Sequence, residues 1–103
     1  MRMLMKVSIP VEKGNELVKA GTLGSTLQKC LDAIKPEAAY FAEFDGVRTG
    51  IIIVDAASAS DIPRLAEPFF LALDARLEMH PCMKPEDLAA AGPHLAAAAT
   101  NFG

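Results

Sequence analysis

His80 and Cys82 stand two residues apart in RLEMHPCMKP (residues 76–85), a spacing that turns both side chains to one side of an extended strand. An imidazole titrating near about 6.5 can give or take a proton at neutral pH. The thiol would be a nucleophile only as a thiolate, and Pro81 between the two residues does not secure the thiolate–imidazolium hydrogen bond that this requires. Three further residues fit proton-transfer chemistry. Glu43 is a carboxylate that could abstract a proton if desolvation raised its pKa, Lys6 could steady a developing oxyanion, and Glu78 is placed to pair with Lys6. Ser8, Phe41 and Arg48 add a hydroxyl, a ring and a carboxylate-clamping guanidinium as binding groups. Each also has a plainer reading: His80 hydrogen-bonded to a neighbouring strand, Lys6 and Glu78 as a rim ion pair, Glu43 as an edge-strand acid that discourages aggregation, Arg48 solvated beside a turn.

Other chemistries are disfavoured. The two histidines, His80 and His94, have no partner at HxxxH or HExxH spacing, so neither a metal nor any other cofactor is expected. GTLGST (residues 21–26) lacks the lysine and spacing of a phosphate loop, and no strand leads directly into it. Two cysteines, Cys30 and Cys82, are too few for a secreted disulfide framework and read as thiols. A formal charge of -3 with scattered basic residues argues against a nucleic-acid or membrane-surface partner. No apolar run approaches the ~20 residues of a membrane span. Arg2 and Lys6 interrupt the apolar start MRMLMKVSIP, which speaks against a signal peptide, so a cytoplasmic protein is expected.

The elements that must position these residues follow from periodicity. Met3, Met5, Val7 and Ile9 alternate with Leu4, Lys6 and Ser8, a strand ended by Pro10. Leu17, Ala20, Leu23, Leu27, Leu31 and Ile34 recur every three or four residues, predicting one helix over 11–34, with an irregular first half because of Gly14, Gly21 and Gly24. AAYFAEF and VRTGIIIVDA flank Asp45-Gly46, a strong hairpin signal. Ser58 and Asp61 offer a helix start, and Ile62, Leu65, Ala66, Phe69 and Leu73 a helical stripe that Pro68 should kink. Leu77, Met79 and Pro81 alternate with Arg76, Glu78, His80 and Cys82 in a last strand; a short helix after Pro85 and an Ala-rich tail, a helical turn or frayed, complete the chain.

The order is βαββαβ, an α+β ferredoxin-like domain of 103 residues with a core over 2–84 and a C-terminal tail over 85–103. Right-handed crossovers predict a four-stranded antiparallel sheet in the order 4-1-3-2, with two helices on one face. Alternation assigns Leu4, Lys6, Ser8, Phe41, Glu43, Glu78, His80 and Cys82 to the bare face, points Tyr40 toward the helices and leaves the third strand's parity open. IIIV at 51–54 is apolar on both sides, and at 51% hydrophobic residues with a mean hydropathy of +0.25 the chain carries more apolar surface than a small monomer hides. A second copy is the expected cover.

This layout resembles the dimeric α/β-barrel superfamily over residues 2–84, in which two sheets pack face to face around a cavity. In detail, KPEAAYFAEFDGVRTGIIIVD and HPCMKPEDL look like an uncharacterised bacterial family of that fold. Relatives in the superfamily include cofactor-free monooxygenases, muconolactone isomerases, haem-dependent members and ligand-sensing domains, a diversity in which fold does not determine function. The chain has no Trp and only Asn15 and Asn101, which disfavours the monooxygenase set of Asn and Trp. A haem branch would need an axial His in a roomy apolar pocket, which His80 or His94 would supply only by coincidence. One reading of these residues is a homodimeric ligand-binding protein or cofactor-free enzyme whose apolar cavity, edged by Lys6, Glu43, Glu78 and His80, takes a small, partly hydrophobic molecule, with isomerase-like proton transfer in which one carboxylate abstracts, His80 returns the proton and Lys6 steadies the oxyanion. The alternative is a non-catalytic protein whose sheet face serves only as an oligomer interface.

Overall fold

Alternation along the first strand decides which side of the sheet becomes the core. In the computed structural model, which describes residues 1–103, β1 (Arg2–Ser8) buries Met3, Met5 and Val7 and leaves Arg2, Leu4, Lys6 and Ser8 partly open. The other strands are β2 (Ala38–Phe44), β3 (Val47–Asp55) and β4 (Arg76–Pro81). They form one antiparallel sheet in the order β2-β3-β1-β4, the expected 4-1-3-2 read from the other edge. The α+β architecture and its strand order are therefore as the sequence predicts.

The predicted long helix is two. α1 (Val11–Lys19) and α2 (Leu23–Ile34) are separated at Gly21, whose φ of +72° only glycine adopts cheaply. The Thr22 N–H reaches back to the Leu17 carbonyl at 2.9 Å and the Gly21 N–H to Val18 at 3.0 Å, a helix stop with a left-handed glycine just past the last turn. α3 (Ile62–Leu73) follows a single 3-10 turn (Ala59–Asp61) and runs through Pro68 without a break. The Asp61 carboxylate accepts the Ala57 N–H at 2.7 Å and pairs with Arg64, and these two contacts hold it below the usual carboxylate range.

These helices cover one sheet face. Leu65, Phe69 and Leu73 from α3 and Cys30 and Ile34 from α2 close over Met5, Val7, Ile52 and Val54 in a single core. Burial pushes the Cys30 thiol pKa up, consistent with an inert packing role.

The tail is helical rather than frayed. It forms α4 (Pro85–Ala90), whose Asp87 carboxylate accepts the Lys84 N–H at 2.9 Å, and α5 (Gly92–Phe102). Neither helix contains a buried residue. Extents of 58 × 28 × 19 Å and a radius of gyration of 17.0 Å, against about 13 Å for a compact chain of this length, describe a body with a projecting arm. No helix is long and apolar enough to cross a membrane.

Candidate functional site

The strand register builds the uncovered face. β1 sets Leu4 opposite both Ile53 and His80, Lys6 opposite Ile51 and Glu78, and Ser8 opposite Thr49 and Arg76. Directly opposed residues share a face, so Lys6, Ser8, Glu78 and His80 stand together, as the alternation predicts. Glu78 is the hub: its Oε1 lies 3.2 Å from His80 Nε2 and its Oε2 lies 3.7 Å from Lys6 Nζ. The hydrogen bond from His80, and after it the Lys6 ammonium, hold the Glu78 carboxyl below the usual carboxylate range. With Glu78 ionised, His80 Nε2 must donate, leaving Nδ1 as the nitrogen able to accept a proton from elsewhere. The Lys6 ammonium also sits 5.3 Å from the centre of the Phe44 ring.

Toward the Ser8 end, these groups edge an open depression of about 450 Å³ whose walls include Lys6, Ser8, Phe44, Arg76 and Glu78. Arg76 makes no ion pair and Ser8 Oγ no hydrogen bond within the chain.

The second strand is turned over relative to expectation. Asp45 and Gly46 form a two-residue turn with φ of 54° and 79°, which pairs Phe44 with Val47 and hence Phe41 with Gly50 and Glu43 with Arg48. Gly50 lies opposite Val7 on the helix-covered side, so Phe41 and Glu43 belong to that side too. There Phe41 borders a groove with Leu23 and Leu27 of α2, and Glu43 accepts the Gly46 N–H at 3.1 Å, bracing the turn. Glu43 is therefore not placed to abstract a proton beside His80. Tyr40 moves the opposite way: paired with Ile51, it lies on the bare face and is 69% exposed. Arg48 also faces the helices, where its Nη2 donates to Asn15 Oδ1 at 3.1 Å over Gly14. It ties β3 to α1 rather than reaching a ligand on the bare face.

Cys82 lies beyond β4, half-buried, its N–H bonded to the Arg2 carbonyl at 3.1 Å. It edges a separate hollow of about 830 Å³ at the far end of the sheet, where Arg2 grips Glu37 through two 2.7 Å hydrogen bonds. His80 hydrogen-bonds Glu78, not Cys82, so no thiol–imidazole pair forms. No three His, Cys, Asp or Glu side chains are grouped to hold a metal ion.

Arg76 and Phe44 are the site residues that sequence reasoning left out. Arg76 was legible, since it shares parity with Glu78 and His80. Phe44 required the register, which the Asp-Gly turn encodes once the buried side of β3 is known. The arrangement can bind a negative charge at Arg76 and Ser8, shelter an apolar body against Phe44 and Val47, and exchange a proton through a His80 held by Glu78. No protein-family model matches this chain, and no curated protein matches it significantly.

Proposed function

We propose that the protein is a cytoplasmic homodimer of the dimeric α/β-barrel kind, which encloses a small, partly hydrophobic anion between two sheets and moves a proton on it without a cofactor. The observation that carries this reading is the Lys6–Glu78–His80 row set into a sheet face that is otherwise greasy and uncovered. Leu4, Ile51 and Ile53 lie on that face beside Tyr40 and Phe44, the last two 69% and 41% exposed. An apolar patch of this kind marks a contact surface, and a second sheet would enclose whatever ionisable groups it covers. His80 is the proton carrier, Glu78 orients it, Lys6 steadies negative charge developing on the substrate, and Arg76 with Ser8 holds the ligand's own anionic group.

The test uses phenylpyruvate as a probe, an aromatic carboxylate with an acidic methylene. The dimer should accelerate deuterium uptake at that methylene, followed by NMR in D2O, and His80→Gln should abolish the acceleration while sedimentation still reports a dimer. A chain that stays monomeric at micromolar concentration, or a His80→Gln variant as active as the parent, would overturn the reading.

One observation favours a second reading. Both Glu78 oxygens are already engaged by Lys6 and His80, the mutual pairing expected where a sheet face is only an interface. On that reading the dimer forms without a cavity, and no probe exchanges.

A further inference from the structure

The depression at the Ser8 end of the bare face carries opposite charges that the chain itself does not neutralise. Its walls hold two cations, Lys6 and Arg76, and two carboxylates, Asp45 and Glu78. Lys6 and Glu78 pair at 3.7 Å, and the other Glu78 oxygen lies 3.2 Å from His80 Nε2. One guanidinium and one carboxylate are left over. Neither Arg76 nor Asp45 makes an ion pair or a side-chain hydrogen bond with any residue of the chain.

The sheet keeps these two groups apart. Asp45 sits in the turn that joins β2 to β3 at one edge of the sheet, whereas Arg76 opens β4, the opposite edge strand. At about 4.8 Å per strand, that turn and β4 are roughly 12 Å apart, a gap that one small molecule can bridge. The place of Asp45 is set by the turn, with φ of 54° at Asp45 and 79° at Gly46, and by the Gly46 N–H donated to Glu43 at 3.1 Å. Between the two charges the walls are apolar: Phe44 and Val47, the cross-strand pair that closes the hairpin, line the same depression.

Charge and size together select an occupant. A simple carboxylate held by Arg76 and Ser8 would meet the like charge of Asp45, and a simple amine drawn to Asp45 would meet the like charge of Arg76. A molecule with one group of each sign satisfies both ends, and an apolar side chain on it covers Phe44 and Val47. A volume of about 450 Å³ lies in the range of small-molecule sites and suits a single amino acid. We infer that this depression binds an apolar α-amino acid as its zwitterion, with the carboxylate on Arg76 and Ser8, the ammonium on Asp45 and the side chain against Phe44 and Val47. The inference rests on the anion site of the function proposed above and adds a cationic group to its ligand. Asp45 is then the residue that sets specificity.

The experiment is calorimetric titration of the full chain with three probes that share a phenyl ring: L-phenylalanine, 3-phenylpropanoate, which lacks the ammonium, and 2-phenylethylamine, which lacks the carboxylate. L-phenylalanine should bind at least tenfold more tightly than either. Asp45→Asn should erase its advantage over 3-phenylpropanoate without weakening 3-phenylpropanoate itself. An Asn-Gly pair suits the same two-residue turn, so the urea midpoint of this variant should not move. Arg76→Gln should erase the advantage over 2-phenylethylamine. Equal affinity for L-phenylalanine and 3-phenylpropanoate, or a preference that survives Asp45→Asn, would overturn the inference. If 3-phenylpropanoate still bound and lost affinity in Arg76→Gln, the anion site of the proposed function would stand without it. Failure of all three probes to bind would overturn both.

Discussion

The two faces of the sheet are built from the same strands, and alternate residues of β1 meet opposite fates. Met3, Met5 and Val7 lie in a dry core against Leu65, Phe69 and Leu73, whereas Leu4, Lys6 and Ser8 look onto a surface that nothing in the chain covers. The covered face has no ionisable group at its centre. The bare face holds Lys6, Arg76, Glu78 and His80 among Leu4, Ile51, Ile53 and Tyr40. A wholly solvent-facing sheet would carry polar side chains in place of those isoleucines, and a wholly buried one would not carry four ionisable groups. The mixture suits the enclosed, partly wet space of the proposed dimer, and on that proposal folding energy lies on one side and chemistry on the other.

The comparison breaks most readily at its strong side. Phe69 is fully buried, and Phe69→Ala removes a ring from the centre of the core, which should cost about 3–5 kcal/mol in urea unfolding. Ile51→Asp on the other face should cost the isolated body little but weaken the proposed dimer about a hundredfold by sedimentation, because two copies of an unpaired carboxylate would face the interface. Equal losses of folding stability from both substitutions would mean that the two faces do not divide the labour.

A smaller effect separates binding from structure within the bare face. Arg76→Gln should weaken phenylpyruvate binding about tenfold and leave the dimer and the unfolding midpoint unchanged, since Arg76 has no partner to lose. Arg48→Gln removes the same charge from the covered side, freeing Asn15 and a strand–helix tie, and should leave binding unchanged while lowering the unfolding midpoint slightly. Titration and urea unfolding of both variants check the pair.

The covered face was legible in the sequence because its pattern is unambiguous. Met3, Met5 and Val7 against Lys6 and Ser8 leave one solution for β1, and Arg76, Glu78 and His80 against Leu77 and Met79 leave one for β4. β2 was misread because AAYFAEF is apolar at both parities, so alternation carries no sign there, and β3, with IIIV, supplies none either. The information lay in the turn: a two-residue Asp-Gly loop fixes Phe44 opposite Val47, and pairing of β3 with β1 then sends Phe41 and Glu43 to the helix side. The break at Gly21 was visible only as irregularity, because the apolar stripe continues in phase across it. The arm's projection was not legible at all, since an alanine-rich stretch reads alike whether it packs on its own body or on a neighbour.

The gentlest probe is pH, and it tests whether the ion pairs on the bare side support the fold. Arg2 holds Glu37 and His80 holds Glu78, in each case lowering the carboxyl pKa from its ordinary value of 4.5. A carboxyl whose folded pKa is depressed binds protons more readily once unfolded, so its contribution is complete above pH 4.5 and drains away as the pH falls through the folded value. Both groups are exposed, so screening keeps each contribution small. Glu37→Gln, which removes one such group and leaves the bare-face row intact, should therefore flatten the fall in the urea midpoint between pH 5 and about pH 3. Glu78→Gln should flatten it as well and, by freeing His80, also reduce deuterium exchange on phenylpyruvate at pH 7. If Glu78→Gln alters the acid profile but leaves exchange untouched, the Lys6–Glu78–His80 row belongs with the structural face, and the division between the two sides of the sheet dissolves at its most important point.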